Sequence, residues 1–416
     1  MRILIATDAF PPKCGGSGWS TYELARGLRT RGHDVHLVQP KPNGNVTSHE
    51  YDGFTVGTIR FHAPDVPYLR NYAKNERLRA LLGPVLAGIV RRDKIDLIHA
   101  QHVLTCPAAV DAGRITARPV VCTVRDYWPV CYWSDLIHDP HADELCPECS
   151  PRAMVRCVRP RAGALWPAAI PLIPYMSANL RRKREVLADA SAIVAVSNAL
   201  AHDLRLRAPE LHSARIETIP NPVDVEAIHA AVADSAPPIE GPYVVYAGKL
   251  AANKGVAKLL PAIEHADLRW PLIVIGEGPA QRALEAEWRR AGRSVRFTGW
   301  LPRAEALVWI RHSALLVFPS HGPESLSRVL LEASALGVPI AAMDTGGTRD
   351  IIHDEMTGLL STSVTELGDD VARLAADEGL RRRLGSAARE AIARTFATPV
   401  VVPRMEALYH ELTTRG

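Results

Sequence analysis

The stretch His321–Gly347, HGPESLSRVLLEASALGVPIAAMDTGG, limits the possible folds of this chain more than any other. Just upstream, Ala314–Pro319 (ALLVFP) is an apolar run closed by proline, which predicts a buried parallel strand. Downstream, Val338–Met343 predicts a second such strand, and Asp344-Thr345-Gly346-Gly347-Thr348 a glycine turn after it. Strand, loop, helix, strand and glycine turn make the repeating unit of an open α/β sheet, whose ligands sit at the carboxyl ends of the strands. Glu324 and Glu332 stand in an E-x7-E spacing, so a continuous helix would carry both carboxylates on one side, about two turns apart. Singly, each glutamate reads as an ordinary first-turn or solvated helix acid. Only the whole string points to a site.

A chain of 416 residues exceeds what one core usually supports, which predicts two domains. With 47% apolar and 23% charged residues it is globular, and a formal charge of +4 gives no reason to expect a nucleic-acid partner. The charge is unevenly spread: Arg152 to Arg184 holds eight Lys or Arg and no acid. Seven cysteines and an N-terminal apolar run too short for a signal core suit a cytoplasmic, reducing compartment. No apolar run approaches the length of a membrane span.

Along the first half, Arg2–Thr7 predicts a strand and Ser20–Thr30 an amphipathic helix, joined by Pro11-Pro12-Lys13-Cys14-Gly15-Gly16-Ser17-Gly18. Gly15 and Gly16 let backbone N–H groups approach an anion at the helix start. A dinucleotide loop is the rival reading, but no glycine completes G-x-G-x-x-G. The next strand, Asp34–Val38, also ends in Gln39-Pro40 where a ribose-binding acid is wanted. Asp96–His99 and Val120–Val124 predict further strands, ending near His99 and His102 and at Arg125-Asp126. These four are candidate site residues, although a histidine at a strand end is as often a structural hydrogen-bonder.

Cys131, Cys146, Cys149 and Cys157 are spaced C-x14-C-x2-C-x7-C, which could supply four thiolates to a structural zinc or iron–sulfur centre. Reduced thiols in an irregular loop are the plainer alternative. Ala162–Ala178 follows, apolar with Trp166 and Tyr175 and interrupted by three prolines, beside the basic cluster Arg181–Arg184. Such a pairing suits an anionic bilayer surface, with a core-packed loop and a solvated basic helix as the alternative.

In the second half, Ile216–Pro220 and Asn221-Pro222-Val223-Asp224 precede a Pro237-Pro238 linker and the strand Tyr243–Ala247, after which come Gly248-Lys249 and Lys254-Gly255. With the glutamate string, the Gly-x-Pro that follows it and the Gly-Gly turn, this half resembles the retaining glycosyltransferases of family 4, and the Gly15-Gly16 loop resembles their opening. The resemblance covers nearly all of the chain except the cysteine segment and the apolar, basic stretch after it. It implies an α/β protein of GT-B fold, two Rossmann-like domains facing across a donor cleft. Residues 1–212 would be the acceptor domain with an insertion at 127–185, residues 213–395 the nucleotide-sugar domain, and 396–416 a helix returning to the first.

The resemblance further implies transfer of a UDP- or GDP-sugar to a glycan or lipid-linked acceptor in cell-surface polysaccharide or glycolipid synthesis. Lys249 and Lys254 would hold the donor pyrophosphate together with Gly15, Gly16 and the Thr345, Gly346, Gly347 turn. Glu332 would take the ribose, and Glu324 the donor sugar, with Ser325 and Leu326 beside it. Arg125 and Asp126 would join Glu324 at the reacting centre, and His99 and His102 would line the acceptor or sugar pocket. Arg125 stands where the family usually has histidine, and a guanidinium donates hydrogen bonds but accepts no proton. No Asp-x-Asp occurs, so no catalytic metal or other catalytic cofactor is expected. A nucleotide-sugar epimerase of the same architecture and an inactive nucleotide-sugar-binding protein are the alternatives.

Overall fold

The computed structural model of the chain describes residues 1–43, 47–65, 72–139 and 145–414. In the first half the strands are β1 (Arg2–Ala6), β2 (Asp34–Pro42), β3 (Ser48–Tyr51), β4 (Phe54–Phe61), β5 (Leu97–Ala100), β6 (Val120–Val124), β7 (Ala192–Ala195) and β8 (Ile216–Thr218). They form one sheet in the order β3-β4-β2-β1-β5-β6-β7-β8, parallel except for the edge hairpin of β3 and β4. Strands β5, β6 and β7 are buried along their whole length, which is why they read as unbroken apolar runs.

The second half repeats the plan with β9 (Val244–Ala247), β10 (Leu272–Ile275), β11 (Val295–Gly299), β12 (Leu315–Phe318), β13 (Ile340–Met343) and β14 (Leu359–Ser361). All pair in parallel, in the order β11-β10-β9-β12-β13-β14. Each sheet starts at its middle, runs outward, then reverses to the other side. A crevice therefore opens beyond β1 and β5 in one sheet and beyond β9 and β12 in the other.

Several elements differ from the sequence expectation. Strand β8 pairs with β7, so Ile216–Thr218 belongs to the first sheet and a boundary after residue 212 falls too early. The chain crosses over at Ile219–Asp224, and the helix Val225–Val232 then bonds to the second body through His229 and the Ala335 carbonyl. The first helix spans Gly16–Thr30, with Gly15 rather than Ser20 at its start. The helix of the glutamate string begins only at Arg328, with Ser327 at its N-cap position, leaving Glu324 in the preceding loop. The two carboxylates therefore do not share a helical face.

Residues 150–188 fold as a helical hairpin, Pro151–Ala162 and Ile173–Ala188, around Met154, Cys157, Val158, Ala169, Ile173, Met176 and Leu180. Pro174 sits in the first turn of its helix, where a missing N–H costs nothing. The last helix, Thr398–Thr414, returns to the first domain. Glu406 pairs with Arg31 and His33, and Glu411 with Arg215. Its start lies beside the first crossing: Val223 N–H donates to the Phe396 carbonyl at 2.8 Å and Thr398 N–H to the Val223 carbonyl at 2.9 Å.

Candidate active site

Loops from the carboxyl ends of both sheets enclose one cleft of about 580 Å³, a size suited to a small-molecule ligand. From the first domain come Gly15, Gly16 and Arg125, and from the second Lys249, Lys254, Glu324, Leu326 and Glu332. Gly15 is exposed at the start of the first helix, which has no acidic residue in its first turn. Lys249 is exposed, and no acid among the described residues pairs with it. A helix start and a lysine that converge on one cavity form an anion site.

Glu324 is buried at the floor of the cleft. Its Oε1 accepts from Lys254 Nζ at 2.6 Å and from Ser320 Oγ at 2.6 Å. Two glycines make this arrangement possible. Gly255 has φ +63°, and a Cβ there would overlap the Pro319 carbonyl, so only glycine lets the Lys254 loop pack against the end of β12. Gly346, with φ +50°, lies against the backbone of Glu324 with no room for a side chain.

The Thr345–Gly347 turn acts as a support. Gly347 N–H donates to the Glu324 carbonyl at 2.6 Å and Thr345 Oγ1 to the Ser320 carbonyl at 3.3 Å, and none of the three lines the cleft. Direct pyrophosphate contact, expected from the sequence, does not fit this placement. The Gly347 N–H is already used by the Glu324 carbonyl.

Glu332, also buried, sits inside a charge network that the sequence reading missed. Arg303 Nε donates to its Oε1 at 2.7 Å and Arg328 Nε at 3.1 Å, while both arginines also reach Glu23 of the first domain. Burial raises the Glu332 carboxyl, but the charges and hydrogen bonds of Arg303 and Arg328 outweigh it and leave the carboxyl below its ordinary value. Glu23 accepts from the Asp224 N–H at 3.0 Å, and Arg328 donates to the Pro222 carbonyl at 3.0 Å, so the network also holds the crossing. The Arg328–Glu332 spacing of four was legible as a helical ion pair. Arg303 and Glu23 are distant in sequence and gave no signal.

Arg125 is buried beneath the cleft. It donates to Asn221 Oδ1 at 3.0 Å, the Ser17 carbonyl at 2.9 Å and Thr21 Oγ1 at 2.7 Å. Burial, as the largest cause, lowers its pKa to about 10, so it remains a cation at neutral pH. The Ser325 hydroxyl reaches the Arg125 carbonyl across the domains.

A second cavity of about 250 Å³ adjoins this point, lined by Arg125, Asp126, Ser134, Asp135, Lys254, Glu324 and Ser325 among others. Asp126 faces it and bonds to His102 behind, at 3.1 Å. His102 also lies 3.4 Å from Asp8. Burial disfavours its charged form, yet the Asp126 hydrogen bond and the Asp8 charge prevail and raise its pKa to about 9. It is a positioning group and lines neither cavity.

His99 does not belong to the pocket. It is fully buried inside the first domain, bonded to Thr123 Oγ1 at 2.7 Å, to Gln101 and to Tyr409 of the last helix. Its place at the end of β5 suggested a ligand. Instead its side chain points into the core, where burial, the largest cause, keeps it neutral.

Cys157 belongs to the small core of the hairpin and Cys149 packs against it, whereas Cys131 belongs to the main core. Cys146 contacts His138 Nδ1 at 3.2 Å and Cys157 the Met154 carbonyl at 3.3 Å. Among the described residues no three potential ligands stand at metal-binding geometry, so the expected four-thiolate shell is not assembled.

Two facing Rossmann-like sheets and a cleft that gathers an anion site and two carboxylates define a GT-B enzyme. The family models agree. Residues 14–227 match Glycosyltransferase Family 4 and residues 230–391 match Glycosyl transferases group 1. The chain belongs to glycosyltransferase family 4. It is 27% identical to the D-inositol 3-phosphate glycosyltransferase of Xylanimonas cellulosilytica, over 96% of this chain and 93% of that one. Sucrose-phosphate synthase from Thermosynechococcus elongatus superposes with a TM-score of 0.74 at 19% identity, covering 100% of both chains. Anabaena HepE in complex with UDP-glucose superposes with a TM-score of 0.66 at 17% identity, covering 99% of this chain and 100% of that one. The protein is thus a glycosyltransferase, and the epimerase and inactive-binder alternatives are superseded.

Proposed function

We propose that the protein moves a sugar from a UDP- or GDP-sugar to a glycan or lipid-linked acceptor, with retention at the anomeric carbon, in cell-surface polysaccharide or glycolipid synthesis on the cytoplasmic side of the membrane. The observation that carries this reading is the single cleft where the Gly15 helix start, Lys249 and Lys254 meet Glu324 and Glu332. As the bond between the anomeric carbon and the phosphate oxygen breaks, negative charge grows on the leaving diphosphate. The lysines and the helix N–H groups offset that charge.

Glu324 accepts hydrogen bonds from hydroxyls of the transferred sugar, and Lys254 shifts part of its hold from Glu324 to phosphate. Glu332 accepts the ribose hydroxyls on Oε2, since both arginines bond its Oε1. Neither glutamate acts as a nucleophile. The acceptor hydroxyl enters from the second cavity beside Asp126, and its proton passes to the departing phosphate oxygen. Among the relatives, the HepE complex with UDP-glucose supports a UDP-sugar as the first donor to try.

No cofactor is proposed for catalysis. A structural zinc or iron–sulfur centre at Cys131, Cys146, Cys149 and Cys157 would require Cys146 and Cys157 to leave their present partners. Elemental analysis of protein purified without added metal decides it, and less than about half an equivalent returns the cluster to plain thiols. The donor is tested by a thermal-shift panel of UDP-, GDP- and ADP-sugars, followed by mass spectrometry of acceptor extracts that consume the hit. No shift with any of them would sink the reading.

A further inference from the structure

The tip of the helical hairpin joins two features that soluble surfaces rarely combine. From Gly163 to Leu172 the sequence GALWPAAIPL contains no charged side chain and no hydroxyl or amide. Its under-face closes the small core through Ala169, while its outer face lies open. Leu165 is 75% exposed, Leu172 40% and Ile170 39%, with Ala164, Pro167, Ala168 and Pro171 exposed between them. A run of exposed apolar side chains between the two hairpin helices marks an interaction surface.

The charges around this run narrow the choice of partner. Of the eight basic residues from Arg152 to Arg184, five are engaged. Arg161 pairs with Asp135, Arg181 with Glu185, Arg182 with Glu76 and Arg184 with Glu210, while burial lowers Lys183 to about 8. The remaining three, Arg152, Arg156 and Arg159, are exposed and have no acid partner among the described residues. Their spacing of four and three puts them along one stripe of the helix that leads into the apolar run. The Arg159 guanidinium lies over the Trp166 ring at 5.5 Å, so the stripe runs into the apolar tip. No helix of the described residues is long and apolar enough to cross a membrane, so the feature suits lying on a bilayer.

We propose that Gly163–Leu172 dips into the interfacial layer of an anionic membrane while Arg152, Arg156 and Arg159 contact lipid phosphates. A protein partner would need an apolar groove flanked by acids, and nothing in the molecule points to one. The hairpin is tied to the acceptor side, because Arg161 bonds Asp135 at 2.8 Å and Asp135 lines the second cavity. A membrane-docked hairpin would set that cavity close to the lipid surface, which a lipid-linked acceptor requires. This last point rests on the acceptor reading above, whereas the docking itself does not.

The test is co-sedimentation of the full chain with phosphatidylglycerol/phosphatidylcholine vesicles and with phosphatidylcholine vesicles, at low and high salt. Binding to the anionic vesicles alone, released by salt, is expected. Each basic side chain near such a surface changes partitioning roughly fivefold, so Arg152→Gln/Arg156→Gln/Arg159→Gln should bind about a hundredfold more weakly. Leu165→Ser/Leu172→Ser should also lose binding. These residues are exposed, so melting temperature and the nucleotide-sugar thermal shift should stay unchanged, which separates failure of docking from failure of the donor reading. Negligible binding to both vesicles, or undiminished binding by the triple variant, would overturn the proposal.

Discussion

The two sheets reverse strand order in the same way, yet their switch-point crevices are filled differently. In the first domain the crevice holds its own charges: His102 between Asp8 and Asp126, and Arg125 tied to Ser17, Thr21 and Asn221. In the second domain Lys249 has no acid partner among the described residues, and Glu324 is held by one lysine and one serine at the floor of a cavity. One crevice is satisfied internally and the other is poised for a ligand. A shared topology thus says where a site can be, while the partners of its polar groups say what each copy contributes.

The largest effect should come from the charge network behind the open crevice. Glu332→Ala leaves Arg303 and Arg328 short of a partner in a buried setting, which should cost about 3–5 kcal/mol of stability in a denaturant titration. Donor affinity should fall with it by about 1.5–3 kcal/mol, read by titration with the nucleotide sugar. Glu23→Gln separates the two, since Glu23 does not line the cleft: stability should drop while donor affinity largely holds. Equal donor loss in both variants would place the ribose elsewhere.

Glu324→Gln keeps the shape and removes the charge, so turnover should slow by about 1.5–3 kcal/mol in activation free energy with little change in donor binding. Unchanged kcat would remove Glu324 from the reacting centre. Gly346→Ala is next. A Cβ at φ +50° against the Glu324 backbone should strain the turn by about 1–3 kcal/mol and displace the carboxylate. A lower kcat at nearly normal donor affinity is expected, and a fully active variant would show that the turn does not position Glu324.

The smallest effect probes the satisfied crevice. Because the folded-state pKa of His102 is raised from 6.5 to about 9, its stabilising contribution is complete below the ordinary value and lost as pH rises through about 9. The wild type should lose stability over that window, and His102→Asn should show a flatter profile there. Identical pH profiles would mean that His102 is not held charged by Asp8 and Asp126.

What the sequence made legible follows from range. The parallel sheets, the glycine loops, the two lysines and the two glutamates could be read because each lies in a short strand-loop-helix unit. The loop conformation of Glu324 was misread because E-x7-E fits helical spacing, whereas the backbone is still extended at Ser327 and the helix starts only at Arg328. Glu23 and Arg303 were invisible because their partners lie hundreds of residues away or across the cleft. His99 was misassigned because a strand end fixes position but not side-chain direction.

The bridge between Val223 and the chain at Phe396–Thr398 also governs how the two halves can move. Bodies joined by one flexible strand can swing, twist and slide. Joined by two strands pinned side by side, they retain chiefly one soft degree of freedom, a rotation about the line through the pins. A door-like motion about an axis at the crossing, rather than in the cleft, is therefore the expected mode of ligand capture. Val223→Pro, which deletes the pinning N–H, should broaden the distance distribution between spin labels on the two domains, and an unchanged distribution would show that the bridge does not set the axis.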